Sequence, residues 1–171
     1  MPQILRFNGG MTAGPTLDRI DRRILAQLQA DGRLTNQALA ERVALSPSAC
    51  LARVRRLEQA GVIEGYHARL DPFRVDVGMV LFAEITLAAH GSEALARFEA
   101  AIAAIPQIVE ASHVSGDFDY LLKVVVRDLA EWTGIGERLT SEDAGADRVV
   151  THVLLGKPKI FTGYPVRDGD A

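Results

Sequence analysis

Residues 46–61, SPSACLARVRRLEQAG, constrain this chain more than any other stretch. Ser46-Pro47 is a helix start: a hydroxyl to cap the first free N–H groups, then a proline where no N–H is missed. Gly61 is a stop. Between them, at about 100° per residue, Cys50, Val54 and Leu57 fall within one narrow arc, with Leu51 beside it. Ser48, Ala49, Ala52, Arg53, Arg55 and Arg56 spread over the other side. One face must pack on something apolar within the chain. The other carries three arginines in four positions toward something outside.

The preceding residues supply the apolar partner. Residues 17–30, LDRIDRRILAQLQA, place Leu17, Ile20, Ile24, Leu25 and Leu28 at helical spacing. Asp18 and Asp21 sit early, where carboxylates complement the helix dipole. Asp31-Gly32 ends that helix, Gly32 being free to take a positive φ. Thr35 caps a second short helix, NQALAERVA, with Leu39 and Val43 inward. Three helices with short turns, the third small and polar at its start and basic toward its end, predict a helix-turn-helix. Small residues let a helix start enter a major groove, and serine hydroxyls and guanidinium forks suit base edges and phosphates. A trihelical protein-interaction unit with a solvated basic face carries the same pattern. Under the first reading the DNA-facing set is Thr35, Asn36, Ser46, Ser48, Ala49, Ala52, Arg53, Arg55 and Arg56. Residues 62–70, VIEGYHARL, read as an extended wing or linking strand, and Asp71-Pro72 closes the module.

Charge separates this module from the rest of the chain. The net charge of −3 hides ten Lys/Arg against six Asp/Glu through Arg69, and nine against sixteen after it. A basic module on an acidic one suits a polyanionic partner. The single cysteine, Cys50, precludes an intrachain disulfide and fits a reducing compartment. No apolar run approaches membrane-spanning length. The first residues read as neither signal peptide nor core, residues 8–16 are rich in Gly, Pro and Thr, and Met11 is a candidate alternative start.

From residue 78 the period changes. GMVLFAEITL, residues 78–87, is a strand by its β-branched and aromatic content. Ser92 caps a helix with Leu95, Phe98, Ile102 and Ile105 in one stripe, stopped by Pro106. Residues 108–114 and 120–126 are two strands around the turn SGDF. Asp128 caps a helix with Glu131 at capping-box spacing, continued by Trp132, Ile135 and Leu139. Residues 149–155 form a fourth strand, and 159–161 a short tail strand. The order β-α-β-β-α-β is the ferredoxin-like arrangement, and the fold class is α+β. Helices cover one sheet face, and an identical subunit is the economical cover for the other. The expected divisions are a flexible segment at 1–16, the helix-turn-helix at 17–65, a linker strand at 66–77 and the ferredoxin-like domain at 78–163.

The turn SGDFDY, residues 115–120, holds the most pointed chemistry of the second module. Gly116 permits a tight turn with exposed N–H groups that can hold a carboxylate, and Asp117 and Asp119 can accept from an ammonium group. Such a pairing suits a free amino acid, although Gly-Asp is also ordinary turn chemistry. Tyr120, Leu122, Trp132 and Ile135 are candidates to line its side-chain pocket. His67, His90, His113 and His152 show no metal-ligand spacing. There is no P-loop, nucleophile elbow or dinucleotide fingerprint, so neither an enzyme nor a bound cofactor or metal is expected.

Taken together, LDRIDRRILAQLQADGRLTNQALAERVALSPSACLARVRRLEQAGVIEGY, FAEITL and VSGDFDYLLKV closely resemble the Lrp/AsnC (leucine-responsive, feast/famine) family of transcriptional regulators, with order and spacing kept from about residue 17 to 155. The resemblance implies a winged helix-turn-helix that binds double-stranded DNA and a ferredoxin-like domain that dimerises and senses amino acids. It also implies homodimers, often assembled into rings such as octamers, with the effector between subunits. That site falls near Gly116-Asp117 and near Thr151 and His152 of the fourth strand. Ala52 stands where a longer polar residue is common, and His152 where the leucine-type member has tyrosine, so operator and effector are expected to differ. The resemblance further implies a cytoplasmic, nucleoid-associated regulator with no membrane partner. Its two competitors are a ligand-insensitive architectural DNA-binding protein and an amino-acid-binding regulatory module of a metabolic enzyme.

Overall fold

The computed structural model describes residues 15–166. Of the segment expected to be flexible, residues 1–14, Met11 included, lie outside the described residues. The described residues divide into two compact units: residues 70–158, and a helical unit to which residues 15–69 and 159–166 both belong.

The helical unit holds α1 (Arg19–Ala30), α2 (Asn36–Val43) and α3 (Pro47–Gln59). The Asp18 side chain accepts the Asp21 N–H at 2.8 Å and the Asp21 side chain accepts the Asp18 N–H at 3.2 Å, a reciprocal cap that starts α1. Asp31 ends α1 in an extended conformation with its N–H on the Gln27 carbonyl, so Gly32 needs no positive φ, contrary to expectation. Thr35 caps α2 by accepting from Ala38, and Ser46 caps α3 by accepting from Ala49. The tight turn between α2 and α3 is made by Ala44, at φ 58° and ψ 48°. Ile24, Leu25, Leu39, Ala40, Val43, Cys50 and Leu57 form the core, closed by Val54, Val62 and Ile63. Burial raises the Cys50 thiol pKa, so it is a core residue rather than a reactive one.

Residues 62–70 form no strand. The Val62 and Ile63 N–H groups both bond the Leu57 carbonyl, which folds the segment back on α3. The linker strand expected at 66–77 is also absent. Pro72 brings no N–H to a ladder, and the Asp71 side chain accepts from Phe73 to start a single 3₁₀ turn, Pro72–Arg74.

The second unit runs β1 (Met79–Leu87), α4 (Ser92–Ala103), β2 (Ile108–His113), β3 (Tyr120–Val126), α5 (Leu129–Leu139) and β4 (Ala146–Val153). Its antiparallel sheet has the order β2-β3-β1-β4, the ferredoxin-like topology. Leu81, Ala83, Ile85 and Leu87 alternate onto the face that α4 and α5 cover, beside Leu122, Val124, Phe98, Trp132 and Leu139. Three local details differ from the sequence expectation. Gly91, not Ser92, is the N-cap of α4, without a side-chain bond. Glu131 accepts from the Arg127 N–H at 2.8 Å rather than completing a box with Asp128. β4 pairs from Ala146, opposite Leu87, three residues earlier than expected.

Residues 159–161 form no strand, and in the fold they group with the helical unit rather than with residues 70–158. The segment returns to the helical unit. The Gln29 carboxamide donates to the Tyr164 carbonyl at 2.9 Å and accepts its N–H at 2.6 Å, satisfying that backbone as a neighbouring strand would have done. Arg69 donates to the Phe161 carbonyl, and Val166 packs on the helical core. Gly163, at φ +130°, is required here, because a Cβ would meet the Gln29 side chain.

Ala44 sits in a backbone region that costs an L-residue about 1–2 kcal/mol. Ala44→Gly should therefore stabilise the helical unit by about 0.5–1 kcal/mol after the added freedom of the unfolded glycine is deducted. A urea midpoint that stays level or falls contradicts this account of the turn.

Candidate functional site

On α3 the apolar stripe lies where expected, with Cys50 and Leu57 buried. Ser48, Ala49, Ala52, Arg55 and Gln59 are exposed. Gln59 lies outside the expected DNA-facing set, because small and basic residues alone define that set, yet its place on the outward arc was available from the helical period. Asn36 donates to the Pro47 carbonyl at 2.8 Å, pinning the start of α2 to the start of α3. Thr35 and Ser46 spend their hydroxyls as caps, with Ser46 also bonded to Ser48 at 3.2 Å. These residues fix where α2 and α3 start, and Ser48, Ala52 and Arg55 lie along the outer row of α3.

The three arginines do not behave alike. Arg55 makes no hydrogen bond or ion pair among the described residues. Arg53 and Arg56 turn instead to α1. Arg53 Nη1 lies 2.6 Å from Asp18 Oδ2 and 2.9 Å from Asp21 Oδ1, and Arg56 Nη2 lies 2.5 Å from Asp21 Oδ2. Asp21 is fully buried, so leaving it without cations would strand a charge in the core. Beyond the expected dipole role, the two acids thus pair with two of the three arginines, which remain 30 and 54% exposed. The signal that points to the pairing is the matched spacing. Acids three residues apart on α1 face arginines three residues apart on α3, and both pairs rise about 4.5 Å along their helices.

The Asp21 N–H and then Arg53 hold the Asp18 carboxyl below the usual aspartate range, while Asp18 and then Asp21 raise the Arg53 guanidinium. A carboxyl whose pKa falls on folding contributes stability that is complete above the unfolded value of about 3.9 and is lost as pH drops through the folded value. Asp18→Asn should therefore flatten the fall in stability as the pH drops below about 4. Parallel wild-type and variant denaturation curves across that window contradict the assignment.

In the second unit the turn after β2 is open. Gly116 has φ +135° with no neighbour within 4 Å of where a Cβ would stand, and Asp117 is exposed and unpaired among the described residues. Asp119 is already occupied. Its Oδ2 accepts the Leu87 N–H at 2.8 Å and pairs with His90 Nε2 at 3.2 Å, so it ties the turn to the end of β1 rather than waiting for an ammonium group. Nothing in the local spacing of His90 announces this role.

The four residues expected to line a side-chain pocket are packed within this chain's own core. Tyr120, Leu122, Trp132 and Ile135 are 2, 0, 7 and 4% exposed and belong to the core, because the strand and helix stripes that carry them face each other. Tyr120 donates to Glu99 and stacks on His113; Trp132 Nε1 donates to Thr151 at 3.1 Å. Thr151 is opposite Ala83, on the helix side, whereas His152 is opposite Phe82, on the other face, where it pairs with Glu84 at 3.1 Å. The β3–β1–β4 register also holds Thr151 two strands, roughly 10 Å, from Leu122. One chain alone does not bring Thr151 and His152 to Gly116-Asp117. A cleft of about 480 Å³ opens beside the end of β1, lined in part by Ala94, Arg97, Ser141 and Asp147, and none of the expected effector residues lines it.

Comparison with known proteins agrees with this layout. Residues 17–64 match the winged helix-turn-helix DNA-binding model and residues 80–164 the Lrp/AsnC ligand binding domain. The chain is 43% identical to a leucine-responsive regulatory protein of Salmonella typhimurium, over 85% of this chain and 89% of that one. It is 41% identical to the one from Serratia marcescens, over 89% and 93%. Among solved structures, a transcriptional regulator from Neisseria meningitidis in complex with L-Met superposes with a TM-score of 0.80 at 34% identity, covering 88% of this chain and 97% of that one. The two matched regions in this order, together with identity above 40% along most of the chain, place it in the Lrp/AsnC family of DNA-binding transcriptional regulators.

Proposed function

We propose that this regulator grips double-stranded DNA through the outer row of α3 as a homo-oligomer, and that a free amino acid held near Gly116-Asp117 alters that grip. The observation that carries the DNA reading is Arg55: an exposed cation without a protein partner among the described residues, beside Ser48 and Ala52 on a helix whose start is fixed by Asn36. Small neighbours let the helix approach a groove, and the guanidinium is left to address a base edge or a phosphate.

Effector binding is supported by the match to a ligand binding domain, by the L-Met in the Neisseria meningitidis structure and by the open turn at Gly116-Asp117. A second copy of the chain is the natural source of the missing half of the site, since Thr151 and His152 lie apart from the turn within one chain. Oligomerisation has its own physical support. The sheet face away from α4 and α5 carries half-buried Phe82, Leu121 and Val125 beside the Glu84–His152 and Lys123–Glu110 pairs. A ring of dimers such as an octamer, in the cytoplasm and on the nucleoid, fits this role. An effector acts only if it binds two assembly or conformational states unequally.

Arg55→Ala should weaken binding to a specific duplex by about 1–3 kcal/mol if the contact is a bidentate base pairing. A phosphate contact would instead weaken all sequences alike and reduce the salt slope by about one unit. Unchanged affinity and slope remove α3 as the reading helix. Calorimetry with an amino-acid panel including L-methionine and L-leucine should give heat with wild type and none with Asp117→Ala, while the variant's ligand-free DNA binding persists. No heat from any amino acid with wild type would leave a DNA-binding protein without this sensor. Light scattering at micromolar concentration should give more than a single-chain mass, and a monomer would sink the shared site.

A further inference from the structure

We infer that Asp21, with Asp18, is a positioning residue for DNA recognition: it fixes where the Arg53 and Arg56 guanidiniums sit beside α3 and cancels their charge, which restrains sequence-independent attraction to phosphates. The inference rests on DNA contact through α3 and adds to it a determinant of specificity on α1.

The geometry is specific. Asp21 is 0% exposed and accepts from Arg53 Nη1, Arg56 Nη2 and the Asp18 N–H, while Asp18 accepts again from Arg53 Nη1. Each guanidinium spends only one terminal nitrogen on the acids. The rest of each fork is held in a fixed direction, and the side chains of Arg53 and Arg56 remain 30 and 54% exposed. A guanidinium already anchored loses less rotamer freedom when it meets a partner.

Charge points the same way. Two carboxylates face two guanidiniums, so of the three arginines in the RVRR run only Arg55 acts as an uncompensated cation. Each protein cation that neutralises a DNA phosphate adds about 0.9 to the salt slope, irrespective of sequence. Compensating two of three therefore lowers non-specific affinity while leaving directional donors for a matched site. An apolar residue at position 21 would continue the stripe of Ile20, Ile24, Leu25 and Leu28 without burying a charge. The acid thus does something that core packing does not require.

The test uses the full chain with Asp21→Asn and Asp18→Asn. Fluorescence anisotropy measures binding to the tightest duplex that wild type selects from a random pool, and to a scrambled duplex of the same composition, across a salt series. The freed cation should tighten binding to the scrambled duplex at least threefold, lower the selected-to-scrambled ratio at least threefold, and steepen the salt slope by about 0.9 units in each variant. Ratios and slopes equal to wild type in both variants overturn the inference. So does an equal loss on both duplexes that follows the thermal midpoint, since Asp21 would then only hold α1 to α3. If Asp21→Asn does not fold by circular dichroism, Asp18→Asn, at a half-exposed position, decides on the same criteria. Wild type that binds neither duplex fails the α3 reading itself; wild-type binding with unaltered variants fails only this one.

Discussion

A carboxylate withdrawn from water must be met by cations, and in the helical unit that requirement organises the domain. Asp21 is buried at the start of α1, and the groups that meet it come from α3. One side chain therefore caps its own helix, locks the two helices together and sets the direction of two arginines. The apolar core of Ile24, Leu39, Val43, Cys50 and Leu57 supplies most of the burial. Non-directional packing of this kind would tolerate a small rotation of α3. A salt bridge that spans one helical turn on each partner does not, which is the form of rigidity a helix entering a groove needs.

The second unit solves a different problem. Its sheet has two faces and only two helices, so one face is dry and the other is left with apolar side chains between charged pairs. The turn after β2 is tied down by Asp119, through the Leu87 N–H and His90, while Gly116 and Asp117 project beyond that tie. Separating the residue that anchors the turn from the residues that face outward lets the exposed pair change partners without loosening the sheet.

Much of this is legible in the sequence, because periodicity reports which face is apolar. The three helices, the four strands in βαββαβ order and the Cys50–Val54–Leu57 stripe follow from spacing alone. The caps at Thr35, Ser46 and Asp128 are also readable, because each side-chain oxygen stands where it can accept a free N–H of the first turn, whereas Ser92 falls one residue too late to do so. What spacing does not reveal is who meets whom. Arg53 and Arg55 are the same residue type on one short helix, yet one is paired to residues 32 and 35 positions away and the other makes no pair among the described residues. Tyr120, Leu122, Trp132 and Ile135 suggest a pocket because they are near the turn or on a facing helix, and the same stripe logic also buries them in the core. Residues 159–161 look like a strand because they are β-prone, whereas the Gln29 carboxamide satisfies the neighbouring backbone in place of a ladder.

The return of residues 159–166 to the helical unit makes the sheet unit an insertion within it. Gln29 and Tyr164 are 135 positions apart, so on a ribosome working at about 5–20 residues per second the contact waits about 7–27 seconds after α1 has been made. Through that interval α1, α2 and α3 have their own core but not Val166 against it, and all of residues 70–158 are synthesised before Val166. Assembly of the helical unit is therefore coupled in time to completion of the sheet unit. A nascent chain stalled anywhere in the second unit leaves the helical surface that Val166 covers open to water.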